Sequence, residues 1–252
     1  MGVDSDFMDN LVKFNSSASG RDKLFRLVQY CTKFSWWYLE KAGVHAEAIA
    51  RLQKLSSSLS TTRKFLRLGK SVDFMHGALR SIHLTDSVLR YTITLSKLNQ
   101  AVYLLFDHII WAGRVGLAMI DKDKWSKLSA QFWIVTLILN LVRDIYEICI
   151  VLSSELKART ERSSRSLYKN GLSDHKTASK PILTNSQLVK KCVEENKPLF
   201  LDLVKNLSDL VLPLEALGHV KASPGVQGLV GTISSVIGVW QSWNPLLRLV
   251  PS

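Results

Sequence analysis

The sequence predicts an all-α, membrane-associated helical bundle with amphipathic N-terminal helices and a C-terminal transmembrane or hairpin segment. Two observations favour this fold class. Apolar residues recur at helical spacing through most of the chain, and an uncharged stretch from Ala222 to Leu247 lies between Lys221 and Arg248. A helix needs about 20 apolar residues to cross the hydrocarbon core of a bilayer. The stretch is therefore long enough to cross once, and the alternative is a buried, glycine-rich core helix of a soluble protein.

The composition favours an anionic partner and a packed core. The 252 residues are 46% hydrophobic and carry a formal net charge of +12. This charge suits lipid headgroups, nucleic acid or an acidic protein, and it is concentrated in residues 11–70, which hold twelve Lys and Arg against three acids. The three cysteines are far apart and odd in number, which is typical of a reducing compartment without a disulfide framework.

Changes in composition divide the chain into four segments. Residues 1–20 are predicted to be a flexible leader, and residues 21–152 a helical, amphipathic region that remodels a membrane. Residues 153–186 mix basic side chains with Ser, Thr and Asn, which is typical of a mobile linker. Residues 187–252 are predicted to hold one helix and then the membrane segment at about 222–247.

The first two predicted helices, residues 21–41 and 46–70, are amphipathic. Their apolar side chains fall on one arc and their charged side chains on another. Each helix can lie at a lipid–water boundary or pack as an ordinary bundle helix, and its cations suit anionic lipid, nucleic acid or solvent. The predicted membrane-insertion residues are Leu24, Leu27, Val28, Cys31, Phe34, Tyr38, Leu52, Leu55, Leu59 and Leu66. The predicted anionic-lipid contacts are Arg21, Lys23, Arg26, Lys33, Arg63, Lys64, Arg67 and Lys70.

The middle of the chain continues as helix. Residues 72–113 are expected to break near Thr85 or Asp86, because either residue can act as an N-cap. Residues 128–142 are uncharged but too short for a full span. We predict that both regions form helices that pack on one another or lie shallowly in the interface.

The last two helices carry clear local signals. One begins near Asn196 with Pro198 in its first turn and is expected to end at Pro213. In the uncharged stretch that follows, small residues recur four apart, which leaves a flat face for close approach of another helix. The predicted self-association residues are Gly231, Ser234, Ser235 and Gly238.

No motif points to catalysis. The chain has no Walker loop, no Gly-x-Gly-x-x-Gly and no Gly-x-Ser-x-Gly, and its six histidines lack metal-ligand spacing. Asp144 and Glu147 share a helix face, which favours ion pairing over a catalytic pair. We predict that the protein is not an enzyme and has no catalytic residue, cofactor or metal site.

Three segments, by their order and spacing, resemble the peroxin-11 family of peroxisomal membrane proteins, in particular its vertebrate alpha and beta forms. The first comprises residues 9–14, 20–26 and 29–30, the second residues 61–69, Leu98, Asn99, Tyr103, Asp107, Trp111, Gly116, Leu117 and 141–147, and the third residues 201–207 through Pro224, Gly225 and Gly231. The resemblance implies an integral protein of the peroxisomal membrane whose N-terminal region faces the cytosol. It implies that the protein elongates the membrane and promotes peroxisome fission and proliferation, by amphipathic-helix insertion, self-association and recruitment of the fission machinery.

The resemblance also implies partners. These are a membrane with anionic lipids, further copies in a homo-oligomer or paralogue hetero-oligomer, the peroxin-19 import chaperone, a tail-anchored fission adaptor and a dynamin-related GTPase. Nucleic acid is not expected, because it would explain the charge but not the uncharged tail.

The alternative function is a non-selective channel for small metabolites. In it, residues 91–113 and 132–152 surround a polar path, since intramembrane ionisable residues tend to be functional. The residues that would line this path are Asp107, Arg143, Asp144 and Glu147.

Overall fold

The computed structural model describes residues 2–43, 45–170 and 185–251. Within these ranges the chain is helical and forms no strand. The helices are α1 (Gly2–Ser16), α2 (Ala18–Lys41), α3 (Ala46–Leu66), α4 (Lys70–Ser81), α5 (Ser87–Arg114), α6 (Lys122–Asn170), α7 (Asn185–Glu195), α8 (Lys197–Ala216) and α9 (Pro224–Trp243), followed by a 3-10 turn at Pro245–Leu247.

Six of the helices close into a ring. Around the ring, α5 contacts α6, α6 contacts α8, α8 contacts α9, α9 contacts α2, α2 contacts α3, and α3 returns to α5. The remaining helices pack on this ring, with α4 on α5, α1 on α2 and α9, and α7 on α6 and α8. A closed ring creates an interior that all six helices can line, and the candidate site lies there.

Local capping sets several helix boundaries. The Ser17 hydroxyl accepts a hydrogen bond from the Gly20 N–H at 3.0 Å and begins α2. The Asp86 carboxylate accepts one from the Leu89 N–H at 3.0 Å, which confirms the predicted break before α5. Gly69 has a φ of 82°, a left-handed conformation that glycine adopts without strain. The second predicted helix therefore ends at Leu66, and α4 follows as a separate helix.

Two predicted irregular segments are helical instead. Residues 2–16 form α1 rather than a flexible leader, and the Phe7 and Phe14 rings lie 5.5 and 5.8 Å from the Trp243 ring. Helix α6 continues to Asn170, since residues 153–170 contain no Gly or Pro to interrupt it. Of the rest of the predicted linker, residues 171–184 lie outside the described residues, and residues 185 and 186 begin α7.

Pro213 does not end its helix as expected. It sits in the last turn of α8, which continues to Ala216, and the Leu217 N–H still donates to the Pro213 carbonyl at 3.1 Å. A proline this close to the end removes only one backbone hydrogen bond. Pro198 lies in the first turn of α8, as predicted.

The predicted membrane segment forms α9, which begins after the N-cap Ser223. Across the described ranges, no helix combines the length with the apolar character needed to cross a bilayer. This corrects the prediction of a transmembrane segment at 222–247. The physical reason is that one side of α9 is polar, because Gln227, Gln241 and several Gly and Ser residues occupy its buried face.

Helices α2 and α9 approach each other closely through glycine. A Cβ atom at Gly225 would lie 2.4 Å from the Trp37 ring, and one at Gly228 would lie 2.6 Å from the backbone nitrogen of Phe34. Real Cβ atoms are not found at such distances, so only glycine allows this contact.

The predicted self-association face is buried within one chain. A Cβ atom at Gly231 would meet the Tyr30 ring of α2 at 2.3 Å, and one at Gly238 would lie 3.9 Å from Lys23 Cδ. Ser234 and Ser235 are buried in the same molecule. The spacing of small residues correctly predicts close helix approach, but α2 of the same chain is the neighbour, because a spacing does not specify which helix packs on it.

The distribution of polar and apolar side chains differs from that in a typical soluble globular protein, although apolar residues such as Ile93, Leu104 and Leu199 are also buried. Charged and amide side chains are buried, and large apolar side chains are exposed along the outer faces of the same helices. The buried polar set includes Asp22, Arg63, Asp107, Arg143, Asp144, Asp202, Asn206, Asp209, Gln227 and Gln241. The exposed apolar set includes Leu24, Val28, Leu95, Leu98, Leu105, Val135, Ile138, Val142, Ile145, Val226, Leu229, Ile233, Val236 and Trp240. Buried charge and many exposed large apolar side chains are each unusual, and here both occur on the same helices.

Candidate functional site

An interior cavity of about 840 Å³ lies inside the helix ring. Residues of all six ring helices line it, together with Arg248 and Leu249 near the C-terminus. The lining is strongly basic, with nine cations against three acids. The cations are Lys23, Arg26, Arg63, Lys64, Arg67, Lys97, Arg143, Lys205 and Arg248, and the acids are Asp107, Asp202 and Asp209.

Asp22 of α2 is the centre of one ion-pair cluster. Its Oδ1 atom lies 3.2 Å from Arg63 Nε and 3.1 Å from Arg67 Nε, and its Oδ2 lies 3.9 Å from Lys70 Nζ. Burial by itself would raise the pKa of Asp22, but the three cations outweigh it and lower that pKa. Burial and the neighbouring Arg67 lower the pKa of Arg63 to about 10, so cations are in excess here.

Asp107 of α5 forms a second cluster with α3. Its carboxylate pairs with Lys64, and its Oδ2 lies 3.2 Å from Arg67 Nη1. The same Arg67 atom donates to the Tyr103 hydroxyl at 3.3 Å. Burial and then Asp107 raise the pKa of Tyr103 to about 12. Arg67 therefore links the two clusters and joins α2, α3 and α5 through charge.

A third cluster connects α6 to α8. Arg143 donates to Asp144 Oδ1 from Nε at 3.0 Å and from Nη2 at 2.7 Å, and it also pairs with Asp202. The Asn206 amide donates to Asp144 Oδ2 at 2.7 Å, and Lys205 pairs with Asp202. Asp202, Asn206 and Asp209, which pairs with Arg26, lie one turn or two apart, so α8 presents these polar side chains on one face.

Three lining cations have only neutral hydrogen-bond partners among the described residues. Lys23 donates to the Ser242 hydroxyl. Lys97 Nζ donates to the Gly77 carbonyl at 3.3 Å and to the Ser81 hydroxyl at 3.1 Å. Arg248 Nε donates to the Gln241 carbonyl at 2.9 Å. Burial and then the nearby cations Lys205 and Arg248 lower the pKa of Lys23 to about 8.

The predicted membrane-insertion residues lie mainly toward the outside of the ring. Exposed among them are Leu24, Val28, Cys31, Phe34, Tyr38 and Leu55, and half-buried are Leu27, Leu52, Leu59 and Leu66. The apolar stripe of α2 therefore faces away from the bundle interior, while its opposite arc packs inward. Whether lipid covers the stripe stays a prediction.

Most of the predicted anionic-lipid contacts are partly or fully buried and do not lie on an exposed surface, contrary to expectation. Arg21 is exposed, Arg63 is buried, and the other six are half-buried. Arg26 pairs with Asp209 and Lys33 donates to Gln227, which adds to the pairings of Arg63, Lys64, Arg67 and Lys70 described above. The physical reason is that acceptors on α5, α8 and α9 draw these cations inward, and a helical wheel of α2 or α3 alone does not contain those acceptors.

The four residues of the channel hypothesis are placed close to the ring interior. Asp107 and Arg143 line the cavity, and Asp144 is buried beside Arg143. Glu147 is half-buried, and its Oε1 atom is buried without a hydrogen-bond partner among the described residues. Burial, against the attraction of Arg143, raises the pKa of Glu147.

The polar side chains of α8 and α9 that organise this site were not identified from the sequence. Asp202, Asn206 and Asp209 recur at helical spacing within an otherwise leucine-rich helix, and that pattern was the available signal. Gln227 and Gln241 were the corresponding signal in α9. No group of three His, Cys, Asp or Glu that could hold a metal ion occurs in the part of the chain that the structure describes. The excess of cations among the residues that line the cavity suits an anion.

This chain matches one protein-family model and several known proteins. The family model for Peroxisomal biogenesis factor 11 (PEX11) matches residues 8–243. The chain belongs to the PEX11 family. It is 35% identical to human Peroxisomal membrane protein 11B, with 97% of this chain and 100% of that protein covered. No solved structure matches the chain.

Two further relatives support the same assignment. Human Peroxisomal membrane protein 11A is 36% identical, with coverage of 96% of this chain and 99% of that protein. Peroxisomal membrane protein PMP30B of Candida boidinii is 30% identical, with 93% of each covered. Membership in the PEX11 family gives the chain a role in peroxisome biogenesis and a location at the peroxisomal membrane. The family resemblance predicted from short segments is thereby confirmed.

Proposed function

We propose that this PEX11-family protein elongates the peroxisomal membrane before fission, by placing the apolar outer face of its helix ring among lipid acyl chains. The observation that supports the proposal is the placement of ion pairs inside the ring together with the many Leu, Ile and Val side chains that are exposed on its outer face. In lipid, ionisable side chains turn toward the bundle interior and pair with one another. Small residues and polar contacts hold helices together there, because burial of apolar surface no longer drives association.

The outer stripes supply the free energy for insertion. Full burial of an aliphatic side chain contributes about 1.5–3 kcal/mol. Val226, Leu229, Ile233 and Val236 form one such stripe on α9, each between 41% and 51% exposed. Several half-exposed side chains per helix on several helices are enough for stable insertion. A wedge that enters mainly one leaflet expands it relative to the other, and the membrane curves.

The native cysteines provide a direct test of insertion. Cys31 on α2 and Cys149 on α6 are exposed on the outer faces, while Cys192 is buried. With the full chain in liposomes, a membrane-impermeant maleimide is expected to leave Cys31 and Cys149 unmodified until detergent is added. The thiol introduced by Lys221→Cys, in the exposed loop before α9, is the water-facing control and should react at once. Equal reaction of Cys31, Cys149 and this control in intact vesicles would overturn insertion.

A second experiment tests membrane elongation itself. The full chain on anionic liposomes should convert round vesicles into tubules that electron microscopy can measure. Val28→Asp places a charge on the outer stripe of α2, at an insertion penalty of about 3 kcal/mol at bilayer depth, and should reduce tubule formation strongly. Gln53→Asp, at an exposed polar position of α3, is the matched control. Vesicles that stay round with the unaltered chain would refute the proposal.

Self-association and recruitment complete the proposal. Several copies would concentrate the wedges, and we assign their contact to the outer stripes, since Gly231, Ser234, Ser235 and Gly238 are buried within the chain. Peroxin-19, a tail-anchored fission adaptor and a dynamin-related GTPase are the partners proposed for import and fission. Crosslinking of the full chain in membranes, with and without Ile233→Asp, tests this contact.

A channel for small metabolites is the second candidate, and the closed helix ring around a charged cavity favours it. Purified protein in a planar bilayer should then conduct. Asp107→Asn removes a buried carboxylate from the cavity wall and should shift selectivity toward anions. A silent bilayer would remove this candidate without affecting the test of elongation.

A further inference from the structure

At one end of the interior cavity, the positive charge of the lining side chains is not balanced by carboxylates. Lys23, Lys205 and Arg248 line it there, beside Ser17 and Ser19 at the start of α2. The carboxylate paired with Lys205 is Asp202, which Arg143 also engages. Lys23 and Arg248 have only neutral hydrogen-bond partners among the described residues. Of these three cations only Lys205 pairs with a carboxylate, and Arg143 engages that same carboxylate, while Asp22 attracts Lys23 without a hydrogen bond.

Other features of this end also favour a negative charge. Helix α2 begins here without an acid in its first turn, and a helix N-terminus stabilises anions. Arg26, another lining residue, has its Nε atom buried without a hydrogen-bond partner among the described residues. Burial lowers the pKa of Lys23 most, and the nearby cations Lys205 and Arg248 lower it further, against the attraction of Asp22, to about 8.

We propose that this end of the cavity, formed by Lys23, Lys205 and Arg248, binds a phosphate group. A dianionic phosphate can accept several hydrogen bonds and offset two uncompensated cations, whereas a single carboxylate would offset one. The cavity of about 840 Å³ is large enough for the group to carry an organic substituent. The phosphate can belong to a free phosphate compound or to a phospholipid headgroup. The inference uses the cavity alone and does not depend on membrane elongation.

Isothermal titration calorimetry on the full chain in detergent micelles tests the site. Inorganic phosphate is the first probe and phosphatidic acid in mixed micelles is the second. Lys23→Gln and Arg248→Gln should each weaken binding about tenfold or more, because each removes a charge-assisted hydrogen bond. Lys54→Gln, at an exposed position of α3 outside the cavity, is the matched control and should bind as the unaltered chain does.

Proton uptake gives an independent measurement that a purely structural role would not change. A lysine with a pKa of about 8 is half protonated at pH 8, and a bound anion raises that pKa. Binding at pH 8 should therefore take up as much as about half a proton per ligand, seen as a dependence of the binding enthalpy on the buffer. Lys23→Gln should abolish this uptake. Its melting temperature should not fall below that of Lys54→Gln, because the amine it removes has no ion-pair partner among the described residues.

The outcomes separate the possibilities. Binding of inorganic phosphate that both variants weaken assigns the site to phosphate compounds. Binding of phosphatidic acid alone, weakened by the same variants, assigns it to a phospholipid headgroup. Failure of both probes to bind, or binding that Lys23→Gln and Arg248→Gln leave unchanged, overturns the inference. None of these results changes the interpretation of vesicle tubulation.

Discussion

Replacing Asp22 by Asn tests whether the buried ion pairs hold the helix ring together. The change keeps the shape of the side chain but removes the charge that Arg63, Arg67 and Lys70 share. Arg67 retains Asp107 as a carboxylate partner, whereas Arg63 keeps only neutral acceptors, among them the side-chain Oε1 of Gln29 at 2.7 Å. Arg63 is 7% exposed, so little solvent reaches it to offset the lost carboxylate.

The size of the effect follows from this geometry. Removal of one partner from a buried ion pair typically costs about 3–5 kcal/mol, because the other charge stays buried. At about 2–4 °C of melting temperature per kcal/mol for a chain of this size, Asp22→Asn should melt about 6–20 °C below the unaltered protein in the same detergent. The loss should persist in 1 M NaCl, since buried pairs are weakly screened.

Two further variants make this prediction specific. Asp73→Asn removes an exposed acid of α4 and should change stability by less than about 0.5 kcal/mol. Asp22→Asn combined with Arg63→Met removes both charges and should recover part of the lost stability. An uncompensated buried arginine is not the cause if Asp22→Asn and Asp73→Asn have the same melting temperature. It is also not the cause if the double variant loses more stability than the sum of the losses in Asp22→Asn and Arg63→Met.

Three other predictions follow from particular contacts. Gly228→Ala should lower the melting temperature by several degrees, because its Cβ would lie 2.6 Å from the Phe34 backbone, whereas Gly238→Ala, with 3.9 Å to Lys23 Cδ, should be tolerated. Cations lower the pKa of Asp22 despite its burial. The stabilisation that Asp22 provides is therefore present above pH about 4 and is lost as the pH falls through its folded pKa. Between pH 7 and pH 2, the melting temperature of Asp22→Asn should accordingly fall less than that of the unaltered protein. Trp243→Ala removes the ring that Phe7 and Phe14 contact and should speed proteolysis of α1, with Trp240→Ala on the outer face of α9 as the control. Equal melting temperatures for Gly228→Ala and Gly238→Ala would contradict the first prediction. The same fall in melting temperature with acid for Asp22→Asn and the unaltered protein would contradict the second, and equal proteolysis rates for Trp243→Ala and Trp240→Ala would contradict the third.

Helix positions were largely predictable because their signals are local. The periodicity of α2, the Asp86 cap of α5 and Pro198 at the start of α8 each lie within one turn of the feature that they specify. The errors arose where a local signal was weak. The basic, Ser-rich stretch after Ser153 lacks any helix breaker, so α6 continues through it.

The site was less predictable because it depends on contacts between distant parts of the chain. Arg63 of α3 pairs with Asp22 of α2, and Arg143 of α6 pairs with Asp202 of α8. A helical wheel places Arg26 and Lys33 on one polar arc of α2, but it contains no acceptor from α8 or α9. Without those acceptors, lipid headgroups were the obvious partners for the cations.

By itself, the sequence determined which residues share a helix face, where most helices begin, that small residues on α9 allow a close neighbour, and which family the chain resembles. Only the tertiary structure decided which face points inward. Periodicity separates a polar side from an apolar side equally well whether the surroundings are water or lipid, and it carries no information about which side is enclosed. The closed ring placed Asp22, Asp107 and Asp202 opposite cations from other helices, and their mutual attraction turned the polar sides inward.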